Sequence, residues 1–155
     1  MVLETERCRI RNLQLKDLDA LYAILSNPIV MREIEPPFDR TQTEDFIKMA
    51  GLIKSPLVYG LEWKQSNTLI GHVIYHPFNN QGYEIGWILH HNFWRMGVAS
   101  EVTDALIRHA KENGITQLFL ECSPKQTITK HIASKFGFQQ TESGSECCCY
   151  KLKIN

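Results

Sequence analysis

The chain has 155 residues, with 17 Lys plus Arg against 17 Asp plus Glu, so its formal charge is zero. That balance gives no long-range pull toward nucleic acid or an anionic membrane, and any bound phosphate must be caught by local geometry. No stretch approaches the roughly 20 apolar residues of a membrane span and Met1 to Arg7 lacks an apolar signal core, so the chain reads as soluble and cytoplasmic.

Taken in order, Arg7 to Leu15 alternates loosely as a first strand. Asp17 is then placed to cap a helix whose Leu18, Leu21, Tyr22 and Leu25 share one face, with Asn27-Pro28 ending it. Thr41 and Glu44 have the spacing of a capping box before a second helix carrying Phe46, Ile47, Ala50 and Ile53. Three strand-like runs follow without a helix between them: 57–64, 68–76 and 82–90. Gln65-Ser66-Asn67 and Asn79-Asn80-Gln81 supply the turns of an antiparallel meander. Val98, Val102, Ala105, Leu106, His109 and Ala110 then recur at helical spacing, and Asn113-Gly114 stops that helix. A strand over 117–123, a helix opened by Pro124 and carrying Ile128, Ile132 and Phe136, and a last strand over 147–154 complete the chain.

This order predicts a mixed α/β fold with a mostly antiparallel sheet of about six or seven strands and about four helices. The strand-helix-strand unit from Gly82 to Ser123 contributes one parallel pair. No repeat or Gly/Ser-rich linker divides the sequence, so residues 1–155 read as a single domain.

Five cysteines, Cys8, Cys122 and the run Cys147-Cys148-Cys149, lack the spacing of a secreted disulfide framework and suit a reducing compartment. Neighbours on a strand point to opposite faces and no Cys-x-x-Cys pair accompanies the run, so no metal is expected there. His90-His91, with His72 and His76, also lacks the spacing of a metal site. His90 is a candidate proton relay.

The chemistry concentrates between the strand ending near His90 and the helix beginning near Gly97. A helix N-terminus exposes unpaired backbone N–H groups and carries a partial positive charge, which together suit a pyrophosphate. Gly97 and Ala99 keep side chains clear of it. Arg95 either adds a fork of donors or crowds the loop.

The run Trp94-Arg95-Met96-Gly97-Val98-Ala99 resembles the Gln/Arg-x-x-Gly-x-Gly/Ala acyl-CoA signature of the GNAT superfamily. It is closer still to the Tyr-Trp-Gly-x-Gly-x-Ala form of the bacterial ribosomal-protein N-terminal (alanine) acetyltransferases, with Arg95 in place of a glycine. Tyr83-Glu84-Ile85-Gly86-Trp87-Ile88-Leu89 and Lys135-Phe136-Gly137-Phe138 resemble two further segments of that branch in the same order.

The resemblance implies that acetyl-CoA is the co-substrate. It would be held by Ile88, Leu89, Trp94, Arg95, Met96, Gly97, Val98, Ala99 and Ser100, with Gln126 where relatives carry an Asn that contacts the pantetheine arm. It also implies transfer to a primary amine, on a peptide N-terminus or a small molecule, by direct attack in a ternary complex. Neither nucleic acid nor membrane is an expected partner, and a homodimer is among the arrangements the sequence allows.

Relatives place a Tyr that protonates the departing thiolate where this chain has Ala133, and Thr129 falls where the protein-modifying branch often has Ser. The absent acid keeps open a non-catalytic acyl-CoA-binding module. Glu84, on the strand face of Gly86, Ile88 and His90, is the first candidate base or else a structural carboxylate, and Glu121 is the second. Trp63, Trp87, Trp94, Tyr59, Tyr75 and Phe78 divide between core and an acceptor cleft, with most assigned to the core.

Overall fold

The computed structural model describes residues 1–80 and 82–155. Among them eight strands form one sheet. They are β1 (Leu3–Glu4), β2 (Cys8–Arg11), β3 (Val58–Trp63), β4 (Thr68–Phe78), β5 (Gly82–Leu89), β6 (Gln117–Cys122), β7 (Gln139–Ser143) and β8 (Cys148–Lys153), in the spatial order β1-β2-β3-β4-β5-β6-β8-β7. Every neighbouring pair is antiparallel except β5 with β6, which is the parallel pair expected around the intervening helix. Gln81, the third residue of the expected turn before β5, lies outside the described residues.

The helices are α1 (Leu18–Leu25), α2 (Pro28–Met31), α3 (Arg40–Phe46), α4 (Val98–Glu112) and α5 (Thr127–Lys135). α3 runs on as a wider π turn over Ile47–Gly51. The sheet separates two apolar clusters. On one side Val98, Val102, Leu106 and Ala110 of α4 pack on Val73, Tyr75, Ile85 and Leu89. On the other, Leu21, Ile24 and Leu25 of α1 pack with Met31 and Ile47 against Leu13, Val58 and Leu69. Each fully buried Leu or Ile contributes on the order of 1.5–3 kcal/mol, so the helices are fixed by the faces they bury.

Several helix starts differ from expectation. Asp39 caps α3, accepting from the N–H of Gln42 at 2.8 Å while the Gln42 side chain accepts from the N–H of Asp39, so the capping box begins two residues before Thr41. The Asp17 carboxylate does not cap α1. It accepts from the Gln14 N–H and from both terminal nitrogens of Arg11, each at 2.9 Å, because a nearby guanidinium outcompetes a helix end for a buried carboxylate. Asn27-Pro28 ends α1 and also starts α2, with the Asn27 side chain accepting from the Ile29 N–H at 2.9 Å. Pro124 sits in the turn before α5 rather than in its first residue. β1 and β7 were not foreseen, because two-residue pairing at an edge and the polar run Gln139–Ser143 leave no hydrophobic alternation to read.

Candidate active site

The approach to α4 is built by two left-handed residues. After β5, His90 closes a short 3-10 turn by accepting at Nδ1 from the Asn92 N–H at 3.0 Å. Arg95 then takes φ 61° and Gly97 φ 78°. Gly97 is the residue before the helix, with no side chain to cap it. The first helical bond is Glu101 N–H to Gly97 C=O at 3.1 Å, so the N–H groups of Val98, Ala99 and Ser100 have no intrahelical acceptor. The first-turn carboxylate of Glu101 is held by Arg7, whose Nε donates to it at 2.7 Å, and this pairing offsets the acidic charge in the first turn of α4. Arg95 is exposed and has no ion-pair partner among the described residues.

A wedge opens between β5 and β6. Their pairing is limited to Tyr83 with Leu118 and Glu84 with Phe119, although β5 continues to Leu89 and β6 to Cys122. The His90 N–H donates to Ile70 of β4 at 2.7 Å. Backbone direction alternates along a strand, so the N–H groups of Trp87 and Leu89 point the other way, into the wedge, while that of Ile88 points to β4. Of Ile88 and Leu89, both expected against the cofactor, Leu89 turns its N–H to the wedge and Ile88 does not, and Trp87 supplies the second N–H there. The Trp94 indole Nε1 donates to the Leu89 carbonyl at 3.1 Å, leaving the Leu89 N–H as the free group at that residue.

The wedge opens onto a cleft of about 550 Å³. Its walls include Ile88, Leu89, Trp94, Arg95, Gly97, Val98, Ala99, Ser100, Gln126 and Thr129, so the structure gathers every expected loop and strand residue except Met96, which is exposed outside it. Gln126 precedes α5, and its Oε1 accepts from the Ser123 N–H at 2.7 Å, which fixes the amide at the rim, its nitrogen without a partner among the described residues. Among the described residues the Thr129 hydroxyl bonds no backbone carbonyl, unlike that of Thr103, which donates to Ala99 at 2.7 Å. Ala133 is fully buried in the core and lies outside the cleft.

A smaller cavity of about 110 Å³ adjoins the cleft through shared walls at Ile34, Trp87, Ile88, Gln126 and Thr129, and adds Glu84 and Glu121. Glu84 is half-buried, and His76, directly opposite on β4, places Nε2 3.0 Å from Glu84 Oε2. Burial pushes the Glu84 carboxyl above the usual carboxylate range, His76 pulls against that push, and the Glu121 charge adds to it. His76 Nδ1 lies 2.8 Å from the Pro77 carbonyl, so each ring nitrogen faces an acceptor. A carboxylate with a raised pKa beside a cleft is a stronger proton acceptor than a free one.

Sequence reading missed the wall formed by α2 and the turn after it, which supplies Ile29, Val30, Arg32, Glu33 and Ile34, and also His131 of α5. The Asn-Pro pair was the available signal, since it starts a helix as readily as it ends one. Among the aromatics Trp87, Trp94 and Phe93 line the cleft, whereas Tyr59 and Tyr75 are buried, Trp63 packs on Phe93 and Phe78 packs on Phe119. His90 lines neither cavity, so it has no place in a relay from Glu84.

Comparison with known proteins agrees with this geometry. Residues 7–139 match the family model described as an acetyltransferase (GNAT) domain. The chain is 28% identical over 153 residues to the uncharacterized N-acetyltransferase YnaD of Bacillus subtilis, covering 95% of this chain and 88% of that protein. A GNAT-family acetyltransferase from Bacillus anthracis superposes with a TM-score of 0.88 at 25% identity, over 99% of this chain and 98% of that one. The ribosomal-protein alpha-N-acetyltransferase RimL, solved in complex with coenzyme A, shares the fold with a TM-score of 0.83 at 16% identity, over 99% and 98% of the two chains. This chain belongs to the GNAT acetyltransferase domain family.

Proposed function

We propose that this protein transfers an acetyl group from acetyl-CoA to a primary amine, on a peptide N-terminus or a small molecule, by direct attack within a ternary complex. The observation that carries the reading is the wedge between β5 and β6. It aims the unpaired N–H groups of Trp87 and Leu89 at the end of a cleft whose other end is the uncapped start of α4. The free N–H groups at Val98 to Ser100, with Arg95 beside them, suit the pyrophosphate. The apolar walls at Ile88, Val98 and Ile132 suit the pantetheine arm.

At the other end of the cleft the amine attacks the thioester carbon, and the developing oxyanion is stabilised by the Leu89 N–H. Glu84 takes the amine proton through water, with His76 holding the carboxylate in place. Thr129 lines both cavities, and its hydroxyl can pass a proton from water to the departing thiolate, regaining one as it gives one, where Ala133 offers no acid. RimL, a ribosomal L7/L12 alpha-N-protein acetyltransferase that binds coenzyme A, supports both halves of the reaction by analogy of fold. The continuous sheet supports one domain over the whole chain, and the five free cysteines suit a reducing, cytoplasmic location.

A thiol-release assay with acetyl-CoA against amines and short peptides tests the reading. Amine-dependent release above background hydrolysis is the expected outcome. Tight acetyl-CoA binding without release for any acceptor would replace this reading with that of a non-catalytic acyl-CoA-binding module.

A further inference from the structure

Alternation separates sequence neighbours on a strand but places residues two apart on one face. Cys147, the residue just before β8, keeps to the face of Cys149, while Cys148 between them is buried. Across the antiparallel β6–β8 pair, Glu121 stands directly opposite Cys149. The Sγ atoms of Cys147 and Cys149 are 3.9 Å apart, and Cys149 Sγ is 3.6 Å from Glu121 Oε1. One ligand atom from each of the three residues lies within 4.8 Å of the other two.

Those separations can be set against coordination geometry. Two thiolates bound tetrahedrally to zinc at about 2.3 Å stand about 3.8 Å apart, and a thiolate and a carboxylate oxygen on the same ion about 3.5 Å apart. The two distances in this protein lie close to those edges, and the third, between Glu121 and Cys147, is bounded by 4.8 Å, so a small side-chain adjustment closes the set around one ion. We propose that Glu121, Cys147 and Cys149 form a binding site for a thiophilic divalent cation of the zinc class, with the fourth position open to water or another donor.

Two sulfur ligands select against calcium and magnesium, which take oxygen. Binding involves no redox change: two S–H bonds give up their protons to the buffer, two metal–sulfur bonds form, and Glu121 binds as the carboxylate. The expectation that the cysteine run holds no metal considers only adjacent residues and the Cys-x-x-Cys spacing. The third ligand comes from 26 positions upstream of Cys147, and strand register alone delivers it.

The position adds a consequence. Glu121 also lines the small cavity that holds Glu84 and Thr129, so a cation here sits beside the end of the cleft opposite the α4 start. It also links β6 to the loop before β8, so its binding stabilises that edge of the sheet.

The test is a Co²⁺ titration of the full-length protein, kept reduced with a phosphine and followed by thiolate-to-cobalt charge-transfer absorption in the near ultraviolet. The expected result is saturation at one equivalent and loss of the band when Zn²⁺ is added. Cys147→Ser and Cys149→Ser should each weaken Co²⁺ binding by roughly tenfold or more, since each removes a direct ligand. Cys148→Ala, on the opposite face, should leave it unchanged. Circular dichroism checks each fold, and Cys147 is exposed, so its substitution does not threaten the core. Zn²⁺ should also raise the melting temperature of the wild type and not that of the Cys147→Ser/Cys149→Ser double variant. Absence of the charge-transfer band in the reduced wild type, or a band of unchanged affinity in the double variant, would overturn the proposal.

Discussion

The indole Nε1 of Trp94 donates to the Leu89 carbonyl at 3.1 Å, tying the loop before α4 to the last residue of β5. The bond satisfies the Leu89 carbonyl, so the N–H is the group of Leu89 left facing the wedge. Trp94→Phe keeps the ring and removes the donor. Stability is expected to fall by about 1 kcal/mol, the usual net contribution of one hydrogen bond, and the KM for acetyl-CoA to rise several-fold. Denaturant unfolding and steady-state kinetics measure the two effects separately.

Gly97 fixes the entry to α4 at φ 78° and leaves the first N–H groups open. A Cβ there would meet only the Arg7 side chain at 3.7 Å, so space does not forbid a substitution, but the left-handed backbone disfavours it by roughly 1–2 kcal/mol. Gly97→Glu adds a carboxylate where the pyrophosphate should lie. Calorimetry is expected to find acetyl-CoA binding abolished in a protein that still unfolds cooperatively. Unchanged affinity would remove the phosphate site from this loop.

Arg95 adopts φ 61°, a conformation natural to the glycine that related loops carry at this point. Its strain and its charge can be separated with two variants. Arg95→Ala and Arg95→Gly both lose the cation and should show weaker, less salt-dependent acetyl-CoA binding. Arg95→Gly alone relieves the backbone and should be more stable than Arg95→Ala by about 1 kcal/mol. Equal salt slopes in all three proteins would show that Arg95 only decorates the surface.

The Glu84 carboxyl is raised above its usual 4.5, chiefly by burial. As a base it works when ionised, so kcat/KM should fall as pH drops through a value above 4.5. His76 pulls this value down, so His76→Gln should move the acid limb further upward. Glu84→Gln should cost about a hundredfold in turnover with little change in acetyl-CoA affinity. The folded state binds the Glu84 proton more tightly than the unfolded chain does, so this group lowers stability as pH rises through its titration. Glu84→Gln should therefore be no less stable than the wild type at pH 7. Near-normal turnover across the pH range would make Glu84 a structural carboxylate.

His72 is 3% exposed, packs against Phe46 and has no hydrogen-bond partner at Nδ1 among the described residues. Burial drops its pKa from the usual 6.5 to about 4. Between those values the unfolded chain takes up a proton that the folded one refuses, so stability rises with pH through that window. The loss on acidifying from above 6.5 to 4 is roughly 3 kcal/mol. His72→Leu should flatten this slope in urea unfolding measured across the window. An unchanged slope would assign the acid sensitivity to other groups.

Much of this was legible in sequence for a physical reason. Periodicity alone marks which face of an element is buried, so α4, with Val98, Val102, Leu106 and Ala110 in register, and the β3–β4–β5 meander were open to local reading. The loop from Trp94 to Ser100 was open to the same local reading, since the start of a helix is built from consecutive residues, and the structure brings all of it but Met96 to one cleft. What joins distant segments was not. The wedge depends on where two parallel strands stop pairing, the wall from α2 depends on how a short helix lies over the sheet, and the meeting of Glu121 with Cys147 and Cys149 depends on register. None of these leaves a local pattern, because each is set by packing between elements far apart in the chain. Tertiary structure alone decided that Glu84 faces His76, that Asp17 holds Arg11 instead of a helix end, and that the position of Ala133 is buried in the core.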